Sequence, residues 1–302
     1  MAGALAVLLV AGVVAALLLV RANGGAARDV FAVTGHPTGV AVAGGQVWVA
    51  APDAGALTVL NARTGRRTEP PVEIGGAPAR LALGANGVWV ADTTRGAVVP
   101  VRRVSGRALD PIPVGADVAD VALGAGAVWA LSSAEGVVRT LEPGAQRVRT
   151  IGVGSDPVDI AADERRVVVA SAGDGTLTWI DAKTRRVGDR IRVGGVPVAV
   201  ALAGDIAWVA DTRGATVARV NLRTGETTAP LQVGRRPVAV AADNADEVYV
   251  LCAGDRMVWN LDADGKVSWK RPAGRAPTAL ALDAASVWVT DVAADAVIRL
   301  ER

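Results

Sequence analysis

Cysteine and histidine are almost absent from this chain of 302 residues, since each occurs once, as Cys252 and His36. A single cysteine excludes an internal disulfide and a cysteine-based zinc site. Because Cys252 follows Tyr249, Val250 and Leu251, we expect a small buried thiol in a strand. The sequence also contains no Ser-His-Asp set, phosphate-binding loop or zinc-ligand spacing. It therefore predicts no catalytic residues, no metal site, no cofactor and no enzyme activity.

A strong excess of charge of either sign is also missing. The sequence has 32 Lys and Arg residues against 30 Asp and Glu residues, a formal net charge of +2 at pH 7. Proteins that bind nucleic acid usually carry a clustered basic surface that neutralises phosphates. We therefore expect no nucleic-acid partner.

The one long apolar run lies at the amino terminus, where residues 2–20 include no charged side chain. A helix of that length, at a rise of about 1.5 Å per residue, spans about 28 Å, close to the hydrocarbon thickness of a bilayer. Secretory signals usually have a basic start and a shorter apolar stretch, and this run has neither. We expect residues 1–21 to form one transmembrane or signal-anchor helix and residues 22–27 to be a flexible tether.

The sidedness of this anchor is open to two interpretations. Arg21 and Arg28 follow the run, which by the positive-inside rule favours a cytoplasmic domain, although large domains translocate largely regardless of a few charges. Met1 could also be an internal start within a longer membrane protein. We expect a membrane-anchored protein whose domain is extracytoplasmic, or a secreted protein if the segment is cleaved.

One motif recurs seven times after residue 37, at intervals of 39 to 41 residues. Its centre is a β-branched and aromatic strand: Val47-Trp48-Val49, Val88-Trp89-Val90, Val128-Trp129-Ala130, Val167-Val168-Val169, Ala207-Trp208-Val209, Val248-Tyr249-Val250 and Val287-Trp288-Val289. Periods near forty residues with several short strands per unit are typical of β-propellers. The sequence therefore predicts an all-β fold over residues 28–302, a seven-bladed β-propeller of four-stranded blades.

The ends of the chain predict how the ring closes. In the fifth repeat, turns at Gly204-Asp205 and Thr224-Gly225 separate predicted strands at 197–202, 206–211, 215–221 and 227–233. The last repeat stops after its third strand, residues 296–300, and an unassigned strand, residues 29–34, precedes the first repeat. Pairing these two strands would complete blade seven and remove an exposed edge. We expect a closed, monomeric ring with the repeated Trp residues packed between blades.

The predicted inner strands carry a charged cluster, two residues after the position that is usually proline. The seven residues at this position are Gly39, Arg80, Asp120, Asp159, Ala199, Ala239 and Ala279. Unpaired burial of the three charged residues would cost several kcal/mol, so they must meet one another, water or a ligand. Two interpretations follow: a channel site for a cation or polar ligand, or an ion network that locks blades two to four together.

The loops that enter the inner strands carry a second candidate set at the predicted channel mouth. This set consists of His36, Asp117, Asp156, Arg235 and Arg236. The sequence predicts that these residues surround a ligand together with the channel cluster. The alternative is a solvated face on which charges cluster by chance.

The repeat motif resembles a known group of proteins. The string V-G-x-x-P-x-x-V-A, followed by V-W-V-A-D and then T-G, is similar to the YVTN/YncE-like and NHL-like bacterial propellers, which include the virginiamycin B lyase-like proteins. The resemblance covers residues 28–302 and implies the propeller fold. It also implies that a lyase of this group would use a histidine general base and a magnesium ion, but the surroundings of His36 match no such pattern. Similar propellers form the extracellular sensor part of some bacterial kinases, and this chain has no kinase motif.

These observations predict a non-enzymatic, membrane-tethered propeller that acts as a sensor or interaction module for a ligand or protein of the cell envelope. The alternative is a lyase-like enzyme that uses channel-mouth carboxylates and a divalent metal. A third interpretation is a purely structural scaffold.

Overall fold

The computed structural model describes residues 28–302 except 69, 86 and 143–147. The predicted anchor over residues 1–21 and the tether over residues 22–27 lie outside these described residues. Within the described part of the chain, no helix has the length and apolar character needed to cross a bilayer.

The described residues form seven antiparallel sheets, and each sheet is one blade. After the amino-terminal strand β1 (Arg28–Ala32), blade one comprises β2 (Gly39–Ala43), β3 (Gln46–Ala51), β4 (Ala56–Asn61) and β5 (Val72–Glu73). Blade two comprises β6 (Pro78–Leu83), β7 (Gly87–Asp92), β8 (Ala97–Arg102), β9 (Arg107–Ala108) and β10 (Ile112–Pro113). Blade three comprises β11 (Val118–Gly124), β12 (Ala127–Ser132), β13 (Val137–Leu141) and β14 (Val148–Gly152).

The remaining blades repeat this order from the inner to the outer strand. Blade four comprises β15 (Pro157–Ala162), β16 (Arg166–Ser171), β17 (Thr176–Asp181) and β18 (Ile191–Arg192). Blade five comprises β19 (Pro197–Ala203), β20 (Ile206–Asp211), β21 (Thr216–Asn221) and β22 (Leu231–Gln232). Blade six comprises β23 (Pro237–Asn244), β24 (Glu247–Cys252), β25 (Met257–Asp262) and β26 (Val267–Pro272), and blade seven comprises β27 (Pro277–Leu282), β28 (Ser286–Asp291) and β29 (Ala296–Glu301).

The ring closes in two ways. Each inner strand contacts the inner strand of the next blade, and the last of them, β27, contacts the first, β2. The amino-terminal strand β1 pairs with β29 and becomes the outer strand of blade seven, with Asp29 opposite Arg299. The predicted closure is therefore confirmed. The closing strand ends at Ala32 and not at Thr34, because Gly35 and His36 adopt positive φ and turn the chain into blade one.

The hydrophobic core lies between the blades. The repeated aromatic residues each fill one interface: Trp48 between blades one and two, Trp129 between three and four, Trp208 between five and six, Tyr249 between six and seven, and Trp288 between seven and one. All five are fully buried. The prediction that the repeated tryptophans pack between blades is therefore confirmed for Trp48, Trp129, Trp208 and Trp288, whereas Trp89, at the same repeat position, is only half-buried between blades two and three.

The Asp that ends the second strand joins two loops of its blade. In blade five, Asp211 Oδ1 accepts hydrogen bonds from the backbone N–H groups of Arg213 and Val196, both at 2.9 Å. In blade seven, Asp291 accepts from the N–H groups of Arg275 at 2.7 Å and Ala276 at 2.9 Å. The Asp of the V-W-V-A-D motif thus ties the loop after the second strand to the loop that enters the same blade, which is a structural role.

The outer strands are shorter than the repeat pattern predicts. In blade five only Leu231–Gln232 forms a strand within the predicted segment 227–233, and in blade two the outer edge is split into two pieces of two residues each. Pro230 in blade five and Pro111 in blade two lack the N–H that a ladder needs. An outer strand also has only one neighbour to hold it.

Candidate functional site in the central channel

A β-bulge at the start of the inner strand sets the position of each charged channel residue. The register shifts between Pro78 and Arg80 in blade two, between Val118 and Asp120 in blade three, and after Pro157 in blade four. At each shift, two residues of the inner strand face one residue of the second strand. Bulges of this kind re-aim side chains and are common beside functional sites.

A polar cavity of about 140 Å³ lies among the inner strands. Arg80 of blade two and Asp159 of blade four line it, together with small residues of the other blades such as Gly39, Ala199 and Ala239. The small residues leave the space open, and the two charged side chains give it polar walls. The structure thus brings together the predicted channel residues.

Asp120 and Asp159 form a carboxyl pair across two neighbouring blades. Their side chains share a hydrogen bond, which requires a proton on one of them because an ionised carboxylate only accepts. Burial raises the pKa of Asp159 well above its ordinary value of 3.8, and the charge of Asp120 and the bond to it raise it further. Burial also raises the pKa of Asp120, against the opposing charge of Arg80. Burial and the neighbouring carboxyl group therefore favour the protonated form of Asp159 more strongly than that of Asp120.

The backbone fixes the orientation of all three charged groups. The N–H of Val121 donates to Asp120 Oδ1 at 2.7 Å, and the N–H of Val200 donates to Asp159 Oδ2 at 2.7 Å. Arg80 Nη1 donates to the carbonyl of Thr38 in blade one at 3.3 Å. Asp120 is 9% exposed and lies behind the other two. The cluster therefore spans four blades while its open side faces the cavity.

The five predicted rim residues lie on four loops at exposed positions, and Arg235 and Arg236 share one of them. Backbone φ is positive at His36, Asp117, Asp156 and Arg236, each in the turn that enters an inner strand. Because the same conformation recurs in four blades, it is a property of the turn, and it does not mark one strained active-site residue. The carboxylate of Asp117 accepts a hydrogen bond from the N–H of Ala134 within its own blade.

Two of the rim residues bind carboxylates of their own. Nδ1 of His36 lies at hydrogen-bond distance, 2.6 Å, from Oδ2 of Asp53, and Arg235 forms an ion pair with Asp255, with 2.7 Å between Nε and Oδ1. Among the described residues, no rim residue lines the channel cavity and no hydrogen bond joins the rim set to the channel cluster. The structure therefore separates the two candidate sets that the sequence grouped together.

A larger cleft of about 860 Å³ lies between blades two and three, on the side of the turns that join inner and second strands. Trp89 lines it and is only half-buried, and Leu109 and Val148 at its edge are 37% and 43% exposed. The repeat pattern does not indicate this cleft. Its only sequence signal is Pro100, which stands opposite Trp89 where blade seven has the long side chain of Arg299.

In the described part of the chain, no three His, Cys, Asp or Glu side chains come together as a set that could hold a metal ion. The Asp262-Ala263-Asp264-Gly265 segment is a hairpin turn between β25 and β26, in which Asp262 Oδ1 accepts from the N–H groups of Asp264 at 3.1 Å and Lys266 at 2.8 Å.

Solved structures with the same fold come from proteins of unrelated activity. Virginiamycin B lyase from Staphylococcus aureus superposes with a TM-score of 0.78 at 16% identity, over 91% of this chain and 99% of the lyase chain. Hydrazine synthase from Kuenenia stuttgartiensis gives 0.79 at 16% identity, over 89% and 96%. A chain of the mitotic checkpoint complex gives 0.81 at 14% identity, over 100% and 99%. At these identities the likeness shows the fold alone.

The expectation that this protein is not an enzyme is wrong. Virginiamycin B lyase and hydrazine synthase are enzymes by name, and each has this fold over about nine-tenths of the present chain. The expectation relied on the absence of familiar catalytic sets from the sequence. Because one fold hosts enzymes and other proteins alike, an inventory of residue types is no ground for excluding enzyme activity.

The sequence itself identifies the family. A comparison with curated protein sequences finds no match. The family model described as outer membrane protein assembly factor BamB matches residues 4–230, three quarters of the chain. The resemblance to virginiamycin B lyase-like propellers, drawn from the repeat motif, is confirmed by the superposed structures. The chain therefore belongs to the family of the outer membrane protein assembly factor BamB, within the seven-bladed β-propellers.

Proposed function

We propose that this protein is a ligand-binding propeller whose ligand enters the central channel and contacts Arg80 and Asp159. The observation that carries the proposal is the polar cavity, in which charges of both signs stand among Gly and Ala residues. A network that only locked blades together would need no free hydrogen-bonding positions on the cavity side, whereas Arg80 uses only one of its donors in the described contacts. Ligand sites of propellers and of other folds are concave and have a few convergent polar groups.

The proposal places this propeller at the cell envelope, tethered through residues 2–20 and facing the extracytoplasmic side. The support is the apolar run and the short Gly- and Ala-rich segment that follows it. The near balance of basic and acidic residues supports an envelope metabolite or protein as the partner and argues against nucleic acid. The rim residues His36, Asp117, Asp156, Arg235 and Arg236 would then be the first part of the protein that an incoming ligand meets.

The test is a thermal-shift and calorimetric screen of envelope metabolites and divalent cations against the full chain in detergent micelles. Ala239→Leu is the key variant, because it fills the cavity without changing a charge. Binding that is lost in Ala239→Leu supports the channel site. Binding that Ala239→Leu leaves intact would overturn it and direct attention to the cleft beside Trp89.

A second candidate function is acid–base catalysis on the bound ligand. The observation that favours it is the buried carboxyl pair of Asp120 and Asp159 beside the cavity, since two adjacent carboxyl groups with different proton affinities can act as acid and base. Product formation from a bound compound, abolished in Asp159→Asn, would support it. Binding without turnover of any bound compound would leave the protein as a binding module.

A further inference from the structure

Two unlike polar groups line the channel cavity. Arg80, from blade two, presents guanidinium N–H donors, and Asp159, from blade four, presents carboxyl oxygens, with the buried Asp120 of blade three next to Asp159. The cavity therefore has a guanidinium wall and a carboxyl wall.

The two walls limit what this cavity accepts. A lone cation or a lone anion would match one wall and leave the other without a partner, which is costly for buried polar groups. A neutral molecule with separated charges matches both. Its positive end would lie against the carboxyl pair and its negative end against the guanidinium.

Free hydrogen-bonding capacity remains on both walls. Arg80 has five N–H donors, of which the described contacts use one, to the carbonyl of Thr38. The carboxylate of Asp159 has about four acceptor positions, of which the described contacts use two, to Val200 and Asp120. A carboxylate can therefore bind Arg80, and an ammonium group can bind Asp159, without displacing the contacts that orient them.

The size of the cavity limits the ligand further. At about 30 Å³ per water molecule in the liquid, the 140 Å³ hold about five non-hydrogen atoms. We infer that the channel ligand is a small zwitterion of the α-amino acid class, with its carboxylate on Arg80 and its ammonium group on Asp159. This inference rests on the proposed channel function and specifies its ligand.

The test is isothermal titration calorimetry of the full chain with glycine, which has five non-hydrogen atoms. Methylammonium and acetate serve as probes that carry only one of the two charges. We expect glycine to bind once per chain and both single-charge probes to bind about ten-fold or more weakly, since each lacks one charged hydrogen bond.

Two pairs of variants locate the contacts. Arg80→Gln and Asp159→Asn should each weaken glycine binding about ten-fold or more. Arg107→Gln and Asp189→Asn remove the same charges from exposed outer positions of the same two blades and should leave binding unchanged. Thermal unfolding of each variant checks that the fold is retained, and Ala239→Leu should abolish binding with no change of charge.

The outcomes separate this inference from the proposed function. Glycine that fails to bind, or that binds equally to Arg80→Gln and the wild type, overturns the zwitterion. If acetate, methylammonium or another compound binds at least as tightly and Ala239→Leu abolishes that binding, the zwitterion is wrong and the channel function stands. If Ala239→Leu affects the binding of no compound, both are wrong.

Discussion

Asp120 and Asp159 lie on neighbouring inner strands, and their carboxyl groups are hydrogen-bonded to each other at the channel wall. The pairing depends on the packing of β11 against β15, which brings the two side chains together. It also couples the channel to the stability of the fold, since burial raises the pKa of both carboxyl groups in the folded chain.

Replacement of Asp120 by Asn should change how the free energy of unfolding depends on pH. The folded pKa of both carboxyl groups lies above the ordinary value of 3.8, so above that pH the folded protein binds more protons than the unfolded chain. The stabilising contribution is complete below 3.8 and is lost as pH rises through the raised pKa, by up to about 1.4 kcal/mol per pH unit for each proton. Asp120→Asn supplies a permanent donor to Asp159, and the unfolding free energy should then fall less with pH.

The measurement is urea unfolding of the wild type and Asp120→Asn between pH 4 and pH 9. Carboxylates with a lowered pKa, such as Asp205 and Asp255, change the unfolding free energy with pH only below this window, and they do so equally in both proteins. The difference in unfolding free energy between the two proteins therefore reports the channel pair. If the unfolding free energies of the two proteins change in parallel with pH, the carboxyl pair does not have a raised pKa in the folded protein.

Arg299 should stabilise the closure of the ring more than a surface arginine does. Its guanidinium pairs with Asp29 of the closing strand and donates to the carbonyls of Ala62 at 2.9 Å and Arg63 at 2.8 Å in blade one. Arg299→Ala should lower the unfolding free energy by about 1–3 kcal/mol, because it removes charged hydrogen bonds in a half-buried site. Arg219→Ala is the matched control, from the same repeat position in blade five, where the only described side-chain contact is a 3.4 Å bond to Ala245. Equal losses in denaturant titrations would contradict a special role for the closing pair.

Two tryptophans at the same repeat position should differ in their contribution to stability. Trp129 is fully buried between blades three and four, its indole N–H donates to the carbonyl of Gly124 at 3.2 Å, and Arg185 lies over its ring at 4.7 Å. Trp129→Ala should cost about 3–5 kcal/mol, the usual cost of truncating a buried aromatic residue. Trp89→Ala should cost less, because the ring of Trp89 already faces a cleft. Chemical denaturation of both variants measures the difference, and a larger loss for Trp89→Ala would mean that the cleft is filled.

Cys252 should be unreactive in the folded protein. It is fully buried at the end of β24, and burial raises the pKa of its thiol to about 12. Since the thiolate is the nucleophile, alkylation by iodoacetamide at pH 8 should be slow in the native protein and fast in urea. Mass spectrometry of the labelled protein measures both rates. Rapid labelling of the native protein would show that blade six opens.

The repeat period of the sequence was enough to predict the architecture. Val-Trp-Val segments every 39 to 41 residues mark a strand that each blade must bury against the next, and seven such segments close one ring. The partner of the closing strand followed from the missing outer strand of the last repeat. These features are local and periodic, so they can be read from the chain without knowledge of which residues meet in space.

Other features depend on contacts that periodicity does not encode. The split outer edge of blade two results from Pro111 and the weak hold of a single neighbouring strand. The cleft beside Trp89 lies between blades two and three and is lined by residues of both, which the repeat pattern does not bring together. The exclusion of enzyme activity was wrong because a residue inventory does not report what a fold can host.

The sequence by itself determined that this protein is a seven-bladed propeller and that three adjacent blades carry Arg80, Asp120 and Asp159 where other blades carry Gly or Ala. Only the tertiary structure decided that the two carboxyl groups meet, that Arg80 and Asp159 face one cavity, and that the rim residues stay apart from it. The physical reason is that strand periodicity sets which face a side chain occupies. The bulges and the closure of the ring set the distance and orientation between blades.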